Sequence, residues 1–285
     1  MQTVIYTEYD NEILAFREHS FGCDVNVHLH DCYEIYIPMC KGVRYYVEGC
    51  AFDMSVGDLI ITNQQEIHRP FVAGRSRYDR IVIQFHPATI HAFFPDGYNP
   101  LSIFENRSAG VSNYFQNILN DYPDYLDLID SIISERKKQT PKSLTNAKLS
   151  LIKLIMFLEE QYQSKPTPTH WVTTQSRIAE VLDHINQNHT NYMDLDSISA
   201  HHYMDKYYLS HLFKKHTGFT IGEYIHSKRI QHVKALISNG VGIMDASIES
   251  GFEDYSNFYR TFKKYVHMSP KAYKILVSQR QGSGF

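Results

Sequence analysis

The chain has 285 residues, more than one ordinary core organises and about right for two domains. With 43% apolar and 21% charged residues it has the makeup of a soluble globular protein, and no apolar run nears the roughly 18 residues of a membrane span. The opening MQTVIYTEYDNEILAF lacks a basic stretch followed by an apolar one, which argues against a secretion signal and predicts a cytoplasmic protein with no membrane partner. Cys23, Cys32, Cys40 and Cys50 match no C-x-x-C zinc spacing and are expected to be reduced thiols.

Residues 1–90 read as strands. The short apolar runs Val25–Val27, Tyr33–Ile37, Val43–Val47, Leu59–Ile61 and Ile81–Phe85 are separated by turn signals at Lys41-Gly42, Glu48-Gly49, Gly57-Asp58 and Ala73-Gly74. Many short strands at near-even spacing predict a β-barrel or sandwich rather than βαβ units.

Residues 91–163 change period. Leu126, Ile129, Ile132 and Ile133 define one helix within Tyr122–Gln139, and Leu144, Leu151, Ile155, Leu158 and Tyr162 a second within Ser143–Gln163. These helices would pack on the strands, and a homodimer interface is the further role open to them. Residues 164–175, with two prolines and several small polar residues, read as a semi-extended linker.

Residues 176–285 carry net charge +3, against −6 for the first 175 residues. A mildly basic domain beside an acidic one fits one half that meets a polyanion. This segment repeats itself: Leu209 through Phe213-Lys214-Lys215 recurs 49 residues later as Phe258 through Phe262-Lys263-Lys264, and Thr220 and Tyr224 recur as Ser269 and Tyr273. A short helix pattern precedes each copy, at Leu195, Ile198 and Ser199 and at Ile243, Ala246 and Ser247. Each unit therefore predicts a helix-turn-helix, with Asp205 and Asp254 as N-caps of the second helices. Ile221–Ile237 would be a spacer helix, and Ser269-Pro270 would start the last one.

In each second helix Leu209, Leu212 and Phe213, then Phe258 and Phe262, would face inward. Tyr207, Ser210, His211 and Lys214 are then free in the first unit, and Tyr255, Ser256, Tyr259, Arg260 and Lys263 in the second. A major groove about 12 Å wide admits such a helix, whose hydroxyl, imidazole and guanidinium groups can read bases while lysines meet phosphates. Two such helices roughly 34 Å apart would engage one face of double-stranded promoter DNA.

The segment Gly251 to Phe258, Phe262-Lys263-Lys264 and Met268 to Tyr273 resembles the signature of AraC/XylS-type transcription regulators, and Tyr208 through Gly218 resembles that family's first helix-turn-helix. The resemblance covers about Ser176 to Leu276. It implies base-facing roles for Tyr207, Ser210, His211, Tyr255, Ser256 and Arg260, and RNA polymerase as a partner of an activator. His267 stands where the family usually has glycine, and Ser199 and Ser247 where alanine is usual, which puts the His267 turn geometry in question.

The first domain resembles the cupin-type sensor of the same family, through Gly22, His28, His30, Glu34, Gly57-Asp58-Leu59 and His68. Alternate strand positions put His28 and His30 on one face, and imidazole with carboxylate suits a divalent metal. Three readings stay open: a metal held by His28, His30, Glu34 and His68; a small-molecule effector held by those residues and Tyr36; or structural polar groups. The rings of Tyr33, Tyr36, Tyr45, Tyr46 and Tyr78 could stack on a sugar or other planar-faced ligand or simply pack the barrel; a sugar is the effector class that the family resemblance implies. The fold expectation is α+β with two domains: a cupin-like barrel with trailing helices, then an all-α double helix-turn-helix. The function expected is an effector-responsive, sequence-specific DNA-binding regulator, more readily an activator. A metal-dependent cupin enzyme is the alternative, although no nucleophile–base pair, phosphate-cradling loop or paired-carboxylate motif supports catalysis.

Overall fold

The computed structural model describes residues 13–22, 30, 32–48, 50–64, 66–74, 76–91, 93–107, 110, 112–164 and 176–282. The predicted strand at Val25–Val27 and almost all of the predicted linker lie outside these residues, as do Cys23 and His28. The chain divides into two compact units: of the described residues, 13–22 and 32–164 belong to one, and His30 and 176–282 to the other.

Among the described residues the first unit is built on eight strands: β1 Ile13–Phe21, β2 Tyr33–Pro38, β3 Val43–Val47, β4 Cys50–Met54, β5 Leu59–Thr62, β6 His68–Val72, β7 Arg77–Phe85 and β8 Tyr114–Phe115. They form a five-stranded sheet, β1-β7-β2-β5-β8, and a three-stranded sheet, β4-β3-β6. Every ladder is antiparallel; Ile35 stands opposite both Ile61 and Ile83. Among the described residues the strands make two sheets, one of the two arrangements that the strand spacing allows, and no closed barrel is shown. The strand region also runs past residue 90, because β8 pairs with β5.

Side chains alternate across each strand, so one sheet feeds two cores. Tyr36, Ile60, Tyr78 and Val82 meet Val43, Tyr45, Phe52 and Val72 of the other sheet. On the opposite face Ile35, Ile37, Ile61, Ile81, Ile83 and Phe85 pack against helices. Burial on both faces explains why YEIYIP and LIIT read as nearly unbroken apolar runs. Pro70 lacks an N–H to donate, and β6, where it sits, is an edge strand.

Five helices follow: α1 Pro87–His91, α2 Ser102–Glu105, α3 Ile118–Asp121, α4 Asp124–Lys138 and α5 Pro141–Ser164. Ile129, Ile132, Leu151, Leu154, Ile155 and Leu158 of α4 and α5 join the sheet core, as the helical periodicity predicts. Thr140 caps α5 by accepting from the Ser143 N–H at 3.1 Å.

Two buried acids hold the β8 region in place. Asp58 accepts from the Tyr114 hydroxyl at 2.6 Å and the Asn117 N–H at 2.7 Å. Glu66 pairs with Arg107, both side chains being 1% exposed, and also accepts from Asn113 at 3.1 Å. Gly57, beside Asp58, has φ +99, and a Cβ there would collide with the Asn120 side chain. Cys40 and Cys50 carry free thiols, and burial pushes Cys50 up to about 11.

The described elements of the second unit are all helices: α6 Ser176–Asn188, α7 Leu195–His201, α8 Lys206–Thr217, α9 Ile221–Ser238, α10 Ile243–Glu249, α11 Tyr255–Val266 and α12 Pro270–Gly282. Each predicted helix of this unit is present. No helix among the described residues is long and apolar enough to cross a membrane.

Candidate nucleic-acid interface

The repeat folds as two matched helix pairs. In the first, α7 ends at the C-cap His202, and Tyr203 turns the chain at φ +53. In the second, α10 ends at the C-cap Ser250, and Gly251 turns it at φ +86. The hydrogen bonds match as well: Met204 N–H donates to Ser199 O at 2.9 Å, and Phe252 N–H to Ser247 O at 3.1 Å.

Both second helices start on an aspartate, as predicted. Asp205 accepts from the Tyr207 and Tyr208 N–H groups, each at 3.0 Å. Asp254 accepts from Ser256 at 3.2 Å and Asn257 at 2.7 Å. Each cap satisfies amides that the helix cannot, worth about 1 kcal/mol. Both helices also stop alike. Gly218 takes φ +77 and donates to Lys214 O; His267 takes φ +59 and donates to Lys263 O. His267 thus adopts the left-handed turn that glycine provides in the first unit, at the modest strain of a non-glycine residue there. Lys214 and Lys215, then Lys263 and Lys264, occupy the last turns, where the helix dipole favours cations.

The serines at the alanine positions keep the fold because their hydroxyls are satisfied locally. Ser199 donates to Asp196 O at 2.9 Å and Ser247 to Met244 O at 2.7 Å.

Inward and outward faces separate as the sequence predicts. Leu209, Leu212 and Phe213 of α8 and Phe258, Phe262 and Tyr265 of α11 are buried. Truncating a buried phenylalanine to alanine costs about 3–5 kcal/mol, so these rings fix how each helix is rotated. Tyr207, His211 and Lys214 are exposed and Ser210 is half-buried; Tyr255, Ser256, Tyr259, Arg260 and Lys263 are all exposed. Tyr207 is 77% exposed, a large ring left in solvent at the start of α8. Tyr208 and Asn257 are exposed beside them and belong to the same surfaces. The repeat could have flagged both, since each lies in the first turn of its helix.

Helix α9, about 27 Å long at 1.5 Å per residue, joins the pairs. A capping box between Thr220 and Glu223 starts it. Tyr224 donates to Asn186 of α6 at 3.1 Å, Arg229 to His189 O at 2.7 Å, and Tyr265 of α11 to Glu223 O at 3.0 Å. His232 lies 3.0 Å from the Ser250 hydroxyl at the second turn. These ties from α9 to α6, to the second turn and to α11, with the Tyr224 ring 5.8 Å from that of Phe213 in α8, make the unit a single scaffold.

Of the residues proposed for an effector or metal, Glu34, Tyr36 and His68 fall in the sheet unit, His30 is grouped with the helical unit, and His28 is outside the described residues. Glu34, Tyr36 and His68 are buried in the inter-sheet region, and His30 is buried too. Glu34 accepts from the Tyr45 hydroxyl at 2.9 Å and from Gln84 at 2.7 Å, and His68 Nε2 lies 3.9 Å from its Oε1. His68 Nδ1 is 2.8 Å from Glu66 O. Burial, reinforced by the Glu34 charge, holds the Tyr45 hydroxyl well above its usual value, so it stays a donor. Sequence reasoning missed Tyr45 and Gln84 as partners of Glu34, since only strand pairing brings them there. Tyr36, Tyr45 and Tyr78 pack in the inter-sheet core, with Tyr36 donating to Tyr78 at 3.0 Å.

A helix-turn-helix domain family matches residues 198–274. The chain is 33% identical over 108 residues to the melibiose operon regulatory protein of Escherichia coli, covering 38% of this chain and 36% of that protein. It thus spans about a third of that relative's length. It is also 33% identical over 107 residues to the HTH-type transcriptional activator AarP of Providencia stuartii, covering 37% of this chain and 79% of AarP. Among solved structures, wild-type ToxT from Vibrio cholerae with bound unsaturated fatty acid is similar at 15% identity and TM-score 0.41, covering 94% of this chain and 96% of that one.

Proposed function

This chain belongs to the AraC/XylS family of transcription regulators, and from that membership we propose that it is a sequence-specific DNA-binding regulator acting in the cytoplasm. The observation that carries the reading is the duplicated helix pair, in which α8 and α11 bury their apolar faces and leave hydroxyl, imidazole and cationic side chains in solvent. Tyr207, Ser210, His211, Tyr255, Ser256, Tyr259 and Arg260 would read base edges in two successive major grooves, while Lys214 and Lys263 would neutralise phosphates. Activation through RNA polymerase is the preferred sign, supported by AarP's description as an activator. The family is one of regulators rather than enzymes, and nothing favours the cupin-enzyme alternative.

The sheet unit is read as a cupin-like sensor. Glu34, Tyr36 and His68, with Tyr45 added and His28 and His30 as further candidates, would hold a polar organic effector by hydrogen bonds. A sugar is the first class to try, and a divalent ion is the competing ligand at Glu34 and His68. A homodimer through α5 is supported by Leu149 and Met156, two exposed apolar side chains seven residues apart on one helix face.

The test is footprinting and fluorescence anisotropy of the full chain on its own upstream DNA, with and without candidate sugars or Mn2+. Binding should protect two adjacent major grooves and weaken steeply as salt rises, because cation–phosphate contacts release counterions. Affinity that does not depend on salt, or no protected site, would refute the reading.

A further inference from the structure

Nine of the sixteen histidines lie in residues 176–285, and three of them converge between α6 and the end of α7. His184 sits on α6, His201 is the last residue of α7 and His202 is its C-cap. Their ring centroids are 4.1 Å apart for His184–His201, 5.2 Å for His184–His202 and 4.9 Å for His201–His202. One nitrogen from each lies within 4.8 Å of the others.

We propose that His184, His201 and His202 form a divalent transition-metal site that ties α6 to the end of α7. Ring packing alone leaves one fact unexplained: His202 Nε2 is buried and has no hydrogen-bond partner among the described residues. A buried polar nitrogen without a partner is costly, and a metal bond would satisfy it. Three imidazoles suit Zn2+, Cu2+, Ni2+ or Co2+ and disfavour Mg2+ and Ca2+, which take oxygen ligands. Glu180 lies one helical turn before His184, and its charge acts on His202, offsetting part of the cation's charge. His201 is exposed, so the ion can enter from solvent, and three protein ligands leave a coordination position open to water.

The consequence for the fold is local. The chain passes from His202 to the N-cap Asp205 of α8 in three residues. A metal holding both His201 and His202 against α6 would restrain the turn that sets the first reading helix. This site stands on its own geometry and holds or fails independently of the DNA-binding reading.

The experiment uses the full untagged chain, stripped with EDTA and then titrated calorimetrically with Zn2+. Wild type should bind a Zn2+ equivalent that both His184→Ala and His201→Ala weaken by roughly tenfold or more. Glu34→Gln, in the sheet unit, should leave that equivalent intact. His201 is exposed, so its variant should keep the wild-type circular dichroism spectrum if His184→Ala misfolds. Co2+ should give visible d–d absorption in wild type that His201→Ala abolishes. Zn2+ should also raise Tm in wild type but not in His201→Ala, because a ligand of the folded state alone stabilises it. Zn2+ binding and Co2+ absorption that His201→Ala leaves unchanged, or that Glu34→Gln removes, would overturn the proposal, as would no Zn2+ binding at all.

Discussion

Gly251→Ala should destabilise the helical unit by about 2–5 kcal/mol, in two separable parts. The residue sits at φ +86, and a side chain forced into left-handed backbone costs about 1–2 kcal/mol. The added Cβ would also lie 2.5 Å from Thr190 O and 2.9 Å from Thr190 C, both backbone atoms. Backbone cannot swing aside as a side-chain tip can, so this overpacking adds about 1–3 kcal/mol. Gly240 separates the two parts: its φ is +90, but a Cβ there meets nothing within 4 Å. Gly240→Ala should therefore show the backbone cost alone. Tyr203, at the equivalent turn of the first unit, carries a side chain at φ +53 and is 96% exposed, which shows that a positive φ is tolerated where space is open. The assay is urea denaturation followed by far-UV circular dichroism, with DNA affinity measured on the same samples, since the turn positions α11. If Gly251→Ala falls within about 0.5 kcal/mol of Gly240→Ala, the usual error of such comparisons, the Thr190 contact does not matter and the reasoning fails.

Arg260→Ala should weaken DNA binding by about 1–3 kcal/mol and relax preference at one base position, whereas Lys263→Ala should weaken all sequences alike and lower the salt slope by about one; identical selectivity profiles from the two variants would remove the assigned roles. Arg107→Ala should cost the sheet unit about 3–5 kcal/mol, because it leaves the Glu66 carboxylate buried without its cation; denaturation showing a loss below about 1 kcal/mol would count against this. Burial holds His189, His226 and His267 below the usual histidine value. The unfolded chain therefore takes up protons first as pH falls, so the helical unit should lose stability from about pH 7 downward through the normal histidine range; thermal melts unchanged between pH 7.5 and about 5.5 would contradict it. Leu149→Glu should shift a homodimer toward monomer in sedimentation velocity without altering the circular dichroism spectrum, and an unshifted dimer would move the interface elsewhere.

The helical unit was largely legible in the sequence, because its information is local. Helix periodicity, the aspartate caps and the paired basic residues at helix ends act within four or five residues, and duplication states the pattern twice. The outward positions followed from the inward ones, since a helix that buries Phe258 and Phe262 must turn Tyr259, Arg260 and Lys263 outward. At His267 the sequence posed a question and the backbone answered it: a histidine can hold the left-handed turn.

The sheet unit depended on pairing between distant segments. Strand β1 was not predicted, because its apolar residues Ile13 and Ala15 are followed by Arg17, Glu18 and His19, and its partner strand β7, Arg77–Phe85, lies far along the chain. The Glu34 bond to Tyr45 and the Arg107–Glu66 pair likewise join segments that only the ladders bring together. The convergence of His184 with His201 and His202 is of the same kind. The dipeptide was visible in the chain, but the third ring arrives from another helix. What acts within a helical turn can be read in order along the chain; what depends on two distant backbones meeting was decided by the packing of apolar faces, which brings remote residues within bonding distance.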